Sequence, residues 1–213
     1  MKVLLVGLGT VGEAIAKLSR GRPWLEKMVL ADYELDRARL VRSRVGDEVI
    51  HPVEQVDARD GAQIVGLIRK HGIDFVMNAV DPRFVMPIFD AAFEAGVDCM
   101  DMAVSLSEPH PTDPFHIPGM KLGDRQFAKA DAWRERGRLA LLGMGMDPGL
   151  SEVFASYAAK HHFDEIDGVH IRDGGDLRIE GYPFATVFSI WTTIEECLNP
   201  PIIWERDRGW YTT

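Results

Sequence analysis

Apolar residues along most of this chain fall into short blocks that alternate with longer amphipathic stretches. Val3 to Val6 is an unbroken apolar run and Met28 to Ala31 repeats it. Asp74 to Val80 is apolar apart from its first residue and Asn78, and Val97 to Ala103 forms a fifth block. Short runs apolar at successive positions suit strands covered on both faces, because side chains alternate between the two sides of a sheet. Glu48 to Val53 and Leu139 to Gly143 read as the third and sixth strands. Between the blocks, Glu13–Leu18, Glu34–Val45, Ala62–His71, Pro87–Ala95 and Arg125–Arg136 carry apolar residues at helical spacing, two of them closed by Gly72 and Gly96. Strand and helix alternating in this way predict an α/β fold with a doubly wound parallel sheet.

Regularity stops at Ser105. The stretch to Gly123 holds Pro109, Pro111, Pro114 and Pro118 with His110 and His116, long enough to suggest a lid or a contact surface. Its histidines suit acid–base chemistry but read first as solvated, since nothing in their spacing pairs them with a carboxylate or a metal. Ser151 is expected to cap a helix whose inner face is Phe154, Tyr157 and Ala158. Beyond residue 160, Ile166–Arg172 and Ala185–Ile190 read as strands, Thr192–Leu198 as a helix, and Ile202–Glu205 with Gly209–Thr213 as a hairpin. The expected organisation is a first domain over 1–160 and an incomplete α+β domain over 161–213. The latter is too small for its own core, so the chain reads as the N-terminal portion of a longer polypeptide.

The chemistry begins at the first turn. Gly7-Leu8-Gly9-Thr10-Val11-Gly12 joins the first strand to the first helix, the arrangement in which a pyrophosphate docks on helix N–H groups and the positive end of the helix dipole. Asp32 ends the second strand twenty residues past Gly12, the spacing of the acid that holds the adenosine ribose. This is a Rossmann-type fingerprint. A carboxylate there accepts from a free 2′-hydroxyl and repels a 2′-phosphate, so NAD is expected ahead of NADP, although Arg37 and Arg39 lie close enough to reach a phosphate. Asn78 and Ala79, at the end of the fourth strand, are candidate contacts beneath the ribose and nicotinamide; the second reading of Asn78 is a turn residue. Asp57 is either an adenine contact or a plain loop aspartate. Cys99 reads as a buried small hydrophobe. Asp101 ends the fifth strand, and Asp147 sits in a glycine-rich turn leading into a helix; each is a candidate proton carrier.

Composition narrows the partners. A net charge of −9 without a basic block excludes nucleic acid and anionic membrane surfaces as expected partners. No apolar run approaches a membrane span. Two cysteines, Cys99 and Cys197, far apart and without metal-ligand spacing, suit a reducing cytoplasm and no metal.

Five segments carry a family likeness: the Gly7–Gly12 turn, Phe75–Pro82 (FVMNAVDP), Ala95–Asp101 (AGVDCMD), Gly143–Gly149 (GMGMDPG) and Phe188–Ile203. Together they resemble the saccharopine dehydrogenase family of amino-acid and polyamine oxidoreductases. The resemblance implies a Rossmann domain followed by an α+β substrate and dimerisation domain. It also implies hydride exchange with a nicotinamide at a carbon bonded to nitrogen, a small amine or amino-acid substrate, a homodimer, and Asp147 facing the substrate. The chain departs from the family where a cysteine often precedes a Gly-Gly pair. Here Asp173 precedes Gly174-Gly175, so that cysteine does not carry over; Arg172 and Asp173 are the substrate-side candidates, Arg172 reading equally as a solvated arginine. Two alternatives stand beside an amine oxidoreductase. One is a non-catalytic NAD-binding and dimerisation module. The other is a semialdehyde reductase, which needs Cys99 as a thiolate.

Overall fold

The computed structural model describes residues 1–172, 174, 178–183 and 190–213, apart from the side chains of 191, 195 and 196. The chain forms two compact units, one of Met1–Leu106 with Gly123–Pro148, the other of Ser107–Leu122 with Gly149–Thr213.

The first unit alternates strand and helix: β1 (Lys2–Val6), α1 (Thr10–Ser19), β2 (Lys27–Asp32), α2 (Leu35–Val45), β3 (Val53–Gln55), α3 (Gly61–His71) and β4 (Phe75–Asn78). A 3-10 turn at Pro82–Phe84 leads into α4 (Val85–Ala95), then β5 (Asp98–Asp101), α5 (Asp124–Phe127), α6 (Ala130–Glu135) and β6 (Ala140–Leu141). All six strands are parallel, in the order β3-β2-β1-β4-β5-β6. The doubly wound Rossmann-type sheet is therefore present.

The continuous apolar runs follow from the two faces. Val3 and Leu5 point with Met28 and Leu30 into a core shared with Ala16 of α1 and Ala38, Val41 and Val45 of α2. Leu4 and Val6 point the other way, with Val29 and Ala31, toward α3, α4 and Trp133. Leu4 is fully buried, and truncating such a leucine to alanine costs about 2–5 kcal/mol.

Two elements of this unit differ from the sequence expectation. The third strand starts at Val53, not Glu48, because Asp47 adopts a positive φ of 55° and its Oδ1 accepts from the Val49 and Ile50 N–H groups, winding 47–50 into a turn. Ile50 and Pro52 carbonyls nonetheless accept from Met28 and Leu30, so the segment already runs along β2. The single helix expected over 125–136 is two: the chain tightens at Lys129, whose N–H donates to the Gln126 carbonyl at 2.9 Å.

The second unit holds α7 (Leu150–His161), α8 (Ile190–Leu198) and an antiparallel hairpin of β7 (Ile202–Glu205) and β8 (Gly209–Thr212), as expected for that hairpin. Tyr211 donates to Glu205 at 2.7 Å and clips the two strands together. Gly149, not Ser151, is the N-cap of α7, and Glu152 reaches back to accept its N–H. Phe154 and Tyr157 are exposed rather than inward, and no residue of α7 is buried. Ile166–Arg172 is not a strand: among the described residues nothing pairs with it, and an unpaired strand leaves its backbone groups unsatisfied. The strand expected at Ala185–Ile190 lies outside the described residues except for Ile190, which opens α8. In the proline-rich segment Glu108 bridges to Met120, and His116 Nδ1 lies 2.7 Å from Asp113 Oδ1, a carboxylate partner its spacing had not suggested.

Candidate functional site

The strand order reverses direction between β1 and β4, and it is at such a point, outside the carboxyl ends of the strands, that open α/β sheets bind ligands. Gly7 leaves β1 at φ +93°; a Cβ there would lie 2.7 Å from the Ala79 carbonyl oxygen and 2.6 Å from Val80 Cγ1. A Cβ on Gly12 would lie 2.0 Å from the Gly7 carbonyl oxygen, so helix and turn meet only because that atom is missing. Gly9 differs: nothing lies within 4 Å of its built Cβ. Gly9 is also the N-cap of α1, and no side chain caps the amides of the first helical turn. Uncapped amides at a helix N-terminus suit an anion such as a phosphate. Glu13, the acid of this first turn, does not oppose it: hydrogen bonds from Lys17 and Arg44 hold its carboxyl below the usual range and offset its charge. Thr10 and Val11 begin α1 at the same mouth, Val11 exposed.

Asp32 closes the other side of the turn. Its Oδ2 accepts the Leu8 N–H at 2.7 Å and its Oδ1 accepts the Glu34 N–H at 2.9 Å. The two arginines nearest in sequence are engaged by their own acids, Arg37 with Glu34 at 3.7 Å and Arg39 with Asp36 at 2.9 Å. Asp57, beyond β3, is gripped by Arg59 through its Nε, its Nη2 at 2.6 Å and its backbone N–H. Those bonds hold the Asp57 carboxyl at about 2.

Asn78 pairs in register with Val6 and with Asp101, which aligns three strand ends on one edge. Its side chain is buried and accepts the Val80 N–H at 3.0 Å, the turn-forming role; Ala79 N–H donates to Val6 O at 2.8 Å. Asp81 and Arg83 form a forked ion pair just beyond.

Asp101 is buried, and its two carboxylate oxygens accept from Gly143 N–H at 2.8 Å and Gln126 Nε2 at 2.6 Å. Burial pushes its carboxyl up, and those two hydrogen bonds oppose the rise. Asp147 is exposed in the turn that follows Gly143. Cys99 lies in the core, where burial first, then the charges of Asp101 and Asp98, push its thiol up to about 12. Burial in the core and that upward shift both disfavour a thiolate at Cys99 at neutral pH. Arg172 is exposed in the second unit, and Asp173 lies outside the described residues. Gln126 was not anticipated from the sequence. It stands seven residues before Trp133 in the helix read over 125–136, a spacing that puts both on one helical face, and that was the available signal. Among the described residues, no cluster of His, Cys, Asp and Glu could hold a metal, and no helix is long and apolar enough to cross a membrane.

Residues 3–141 match the model of a family described as the saccharopine dehydrogenase NADP binding domain. A carboxyaminopropylagmatine dehydrogenase of Synechocystis sp. is 32% identical over 195 residues, which cover 92% of this chain and 46% of that protein. A carboxynorspermidine synthase of Vibrio cholerae is 31% identical over 215 residues, covering 96% of this chain and 50% of that one. The chain thus spans about half the length of the curated relatives it matches. Among solved structures, an apo saccharopine dehydrogenase (L-Glu forming) from Saccharomyces cerevisiae superposes with a TM-score of 0.56 at 16% identity, over 75% of this chain and 30% of the other. At that identity the likeness is one of fold.

Proposed function

This chain belongs to the saccharopine dehydrogenase NADP binding domain family, and from that premise we propose that it is the cofactor-binding part of an NAD-dependent oxidoreductase that acts on the C–N bond of an amino acid or polyamine. The observation that carries the cofactor half is the pairing of open space above Gly9 with the Asp32 carboxylate fixed on Leu8 at 2.7 Å. The α1 amides would hold the pyrophosphate, Asp32 the adenosine ribose hydroxyls, and Asn78 and Ala79 would lie beneath the second ribose and the nicotinamide. NAD is favoured over NADP because Asp32 is an acceptor and Arg37 and Arg39 are each paired with a neighbouring carboxylate. Asp57 stays ionised at working pH and can only accept, which suits the adenine amino group.

When bound, NAD supplies hydride exchange at its nicotinamide ring; the protein's share is alignment and proton handling. Asp147 is our choice for the group that faces the substrate nitrogen and carries its proton. Arg172 and Asp173 are proposed on the substrate side, and the relatives' names support a polyamine-related amine as substrate. A homodimer is proposed from the exposed Val153, Phe154 and Tyr157 of α7, and a cytoplasmic location from the two free cysteines.

The test uses the full-length protein. NADH binding is followed by fluorescence, then NAD reduction is assayed with lysine, saccharopine and polyamines. No nucleotide binding at millimolar concentrations defeats the proposal. Binding without turnover of any of these amines, with Asp147→Ala causing no effect, indicates a non-catalytic NAD-binding module instead.

A further inference from the structure

We propose that Asp101 is a positioning residue that, with Gln126, clamps the Gly143–Pro148 turn and thereby sets where Asp147 stands, without itself meeting substrate. The proposal rests on the reading of Asp147 given above.

Two bonds to one residue hold the start of that turn, and a third holds that residue. Asp101 Oδ1 accepts Gly143 N–H at 2.8 Å, and the Asp101 backbone carbonyl accepts Met144 N–H at 2.8 Å, so two successive amides are fixed to the end of β5. Further along, Gly145 N–H closes the turn on the Pro148 carbonyl at 3.0 Å. The third bond comes from Gln126, whose Nε2 donates to Asp101 Oδ2 at 2.6 Å. Gln126 has no freedom to turn over, because its Oε1 already accepts Ser105 N–H at 2.8 Å. Ser105, Gln126 and Asp101 are 2%, 1% and 3% exposed, so the network is closed to water.

This arrangement separates holding from proton transfer. Both donors to the carboxylate are amides, which do not release a proton at working pH, so neither bond offers the carboxylate a route for relaying one. A buried chain of hydrogen bonds in which the carboxylate and the amide are each held at both ends fixes geometry instead. The consequence falls on the turn that carries Asp147, where a displacement of about 1 Å is enough to cost about 100-fold in rate.

The test relocates the charge. Asp101→Asn sets an NH₂ against one of two donors, Gly143 N–H or the Gln126 amide, and opens the clamp. Adding Gln126→Glu mends it: the new amide oxygen at 101 accepts from Gly143, its NH₂ donates to the new carboxylate at 126, and the second carboxylate oxygen accepts from Ser105. In the full-length protein Asp101→Asn is expected to lower kcat about 10- to 100-fold with NADH affinity unchanged, and the double variant to recover most of the loss. Amide hydrogen exchange at Gly143 and Met144 should quicken in the single variant and slow again in the double. Gln126→Leu, which keeps the carboxylate, should lower kcat and quicken the same exchange, and covers the case in which Asp101→Asn does not fold. A double variant with restored exchange and no restored turnover overturns the proposal, because the carboxylate at 101 would then be doing the chemistry; so does unchanged exchange in the single variants. If the native protein turns over no amine, the functional reading fails while the exchange measurement still decides the clamp.

Discussion

Asp32 Oδ2 accepts the Leu8 N–H at 2.7 Å, so the acid at the end of β2 and the glycine turn at the end of β1 form one hydrogen-bonded unit. The bond fixes one carboxylate oxygen and leaves the group's remaining acceptor capacity directed by that constraint. Replacing Asp32 by alanine removes an ionised acceptor, whose hydrogen bonds contribute about 1.5–3 kcal/mol. NADH affinity is expected to fall about 10- to 100-fold, with NADPH affected less, since it loses a repulsion together with a contact. Parallel fluorescence titrations with both nucleotides measure this. A native protein that binds NADPH more tightly than NADH would contradict the assignment of Asp32.

The two cysteines should be chemically distinct. Cys99 is buried with its thiol pushed up to about 12, while Cys197 is exposed. Reaction with an aromatic disulfide reagent at pH 8 should therefore label Cys197 alone in the folded protein and both residues in denaturant. Cys197→Ser should abolish the native reaction. Rapid native labelling of Cys99 would show that the fifth strand is less well covered than its packing implies.

Much of this architecture was legible because it is local. The Val3–Val6 run has no polar face, and the structure places Val3 and Leu5 in one core and Leu4 and Val6 in the other. The Gly7–Gly12 turn and Asp32 carry their chemistry in spacing alone. What was not legible depends on contacts distant in sequence. Nothing around Asp101 indicates that Gln126 and Gly143 will take its carboxylate, and nothing in the Phe154 and Tyr157 spacing says that the face is left exposed among the described residues. The late start of β3 is an intermediate case: a single side chain, Asp47, hydrogen-bonds two backbone amides and overrides the strand propensity of Val49 and Ile50.

Asp57 gives the pH prediction its sign. Hydrogen bonds from Arg59 hold the folded carboxyl at about 2, below the value of about 3.9 in an unfolded chain. A depressed carboxyl contributes stability that is fully present above the unfolded value and is lost as pH falls through the folded one. The pair's contribution should therefore hold from neutral pH down to about 4 and fade between about 4 and 2. Arg59→Ala should return the Asp57 titration, read by carbonyl NMR, to the ordinary carboxylate range and flatten that part of the acid-stability profile. Because the pair is exposed, salt should weaken the effect.

Gly9 and Gly12 stand three residues apart in one turn yet should fail in opposite ways when changed to alanine. A Cβ at Gly12 would sit 2.0 Å from the Gly7 carbonyl oxygen, a backbone atom that cannot swing aside as a flexible side chain would. Helix α1 must then lift from β1, and overpacking of this kind costs about 1–3 kcal/mol or more, so Gly12→Ala is expected to lower the melting temperature with or without nucleotide present. At Gly9 the built Cβ meets nothing within 4 Å and the backbone, at φ −67°, is open to any residue. Gly9→Ala should therefore fold with native stability. Its methyl group would instead occupy the space above the α1 amides, where the pyrophosphate is proposed to sit, and NADH affinity should fall. Thermal melts of both variants, with and without NADH, separate the two effects: the Gly12 variant loses apo stability, and the Gly9 variant loses only the rise in melting temperature that ligand produces. Should Gly9→Ala keep the full NADH-dependent shift, the pyrophosphate does not lie over that residue and the proposed docking of the cofactor on α1 is wrong.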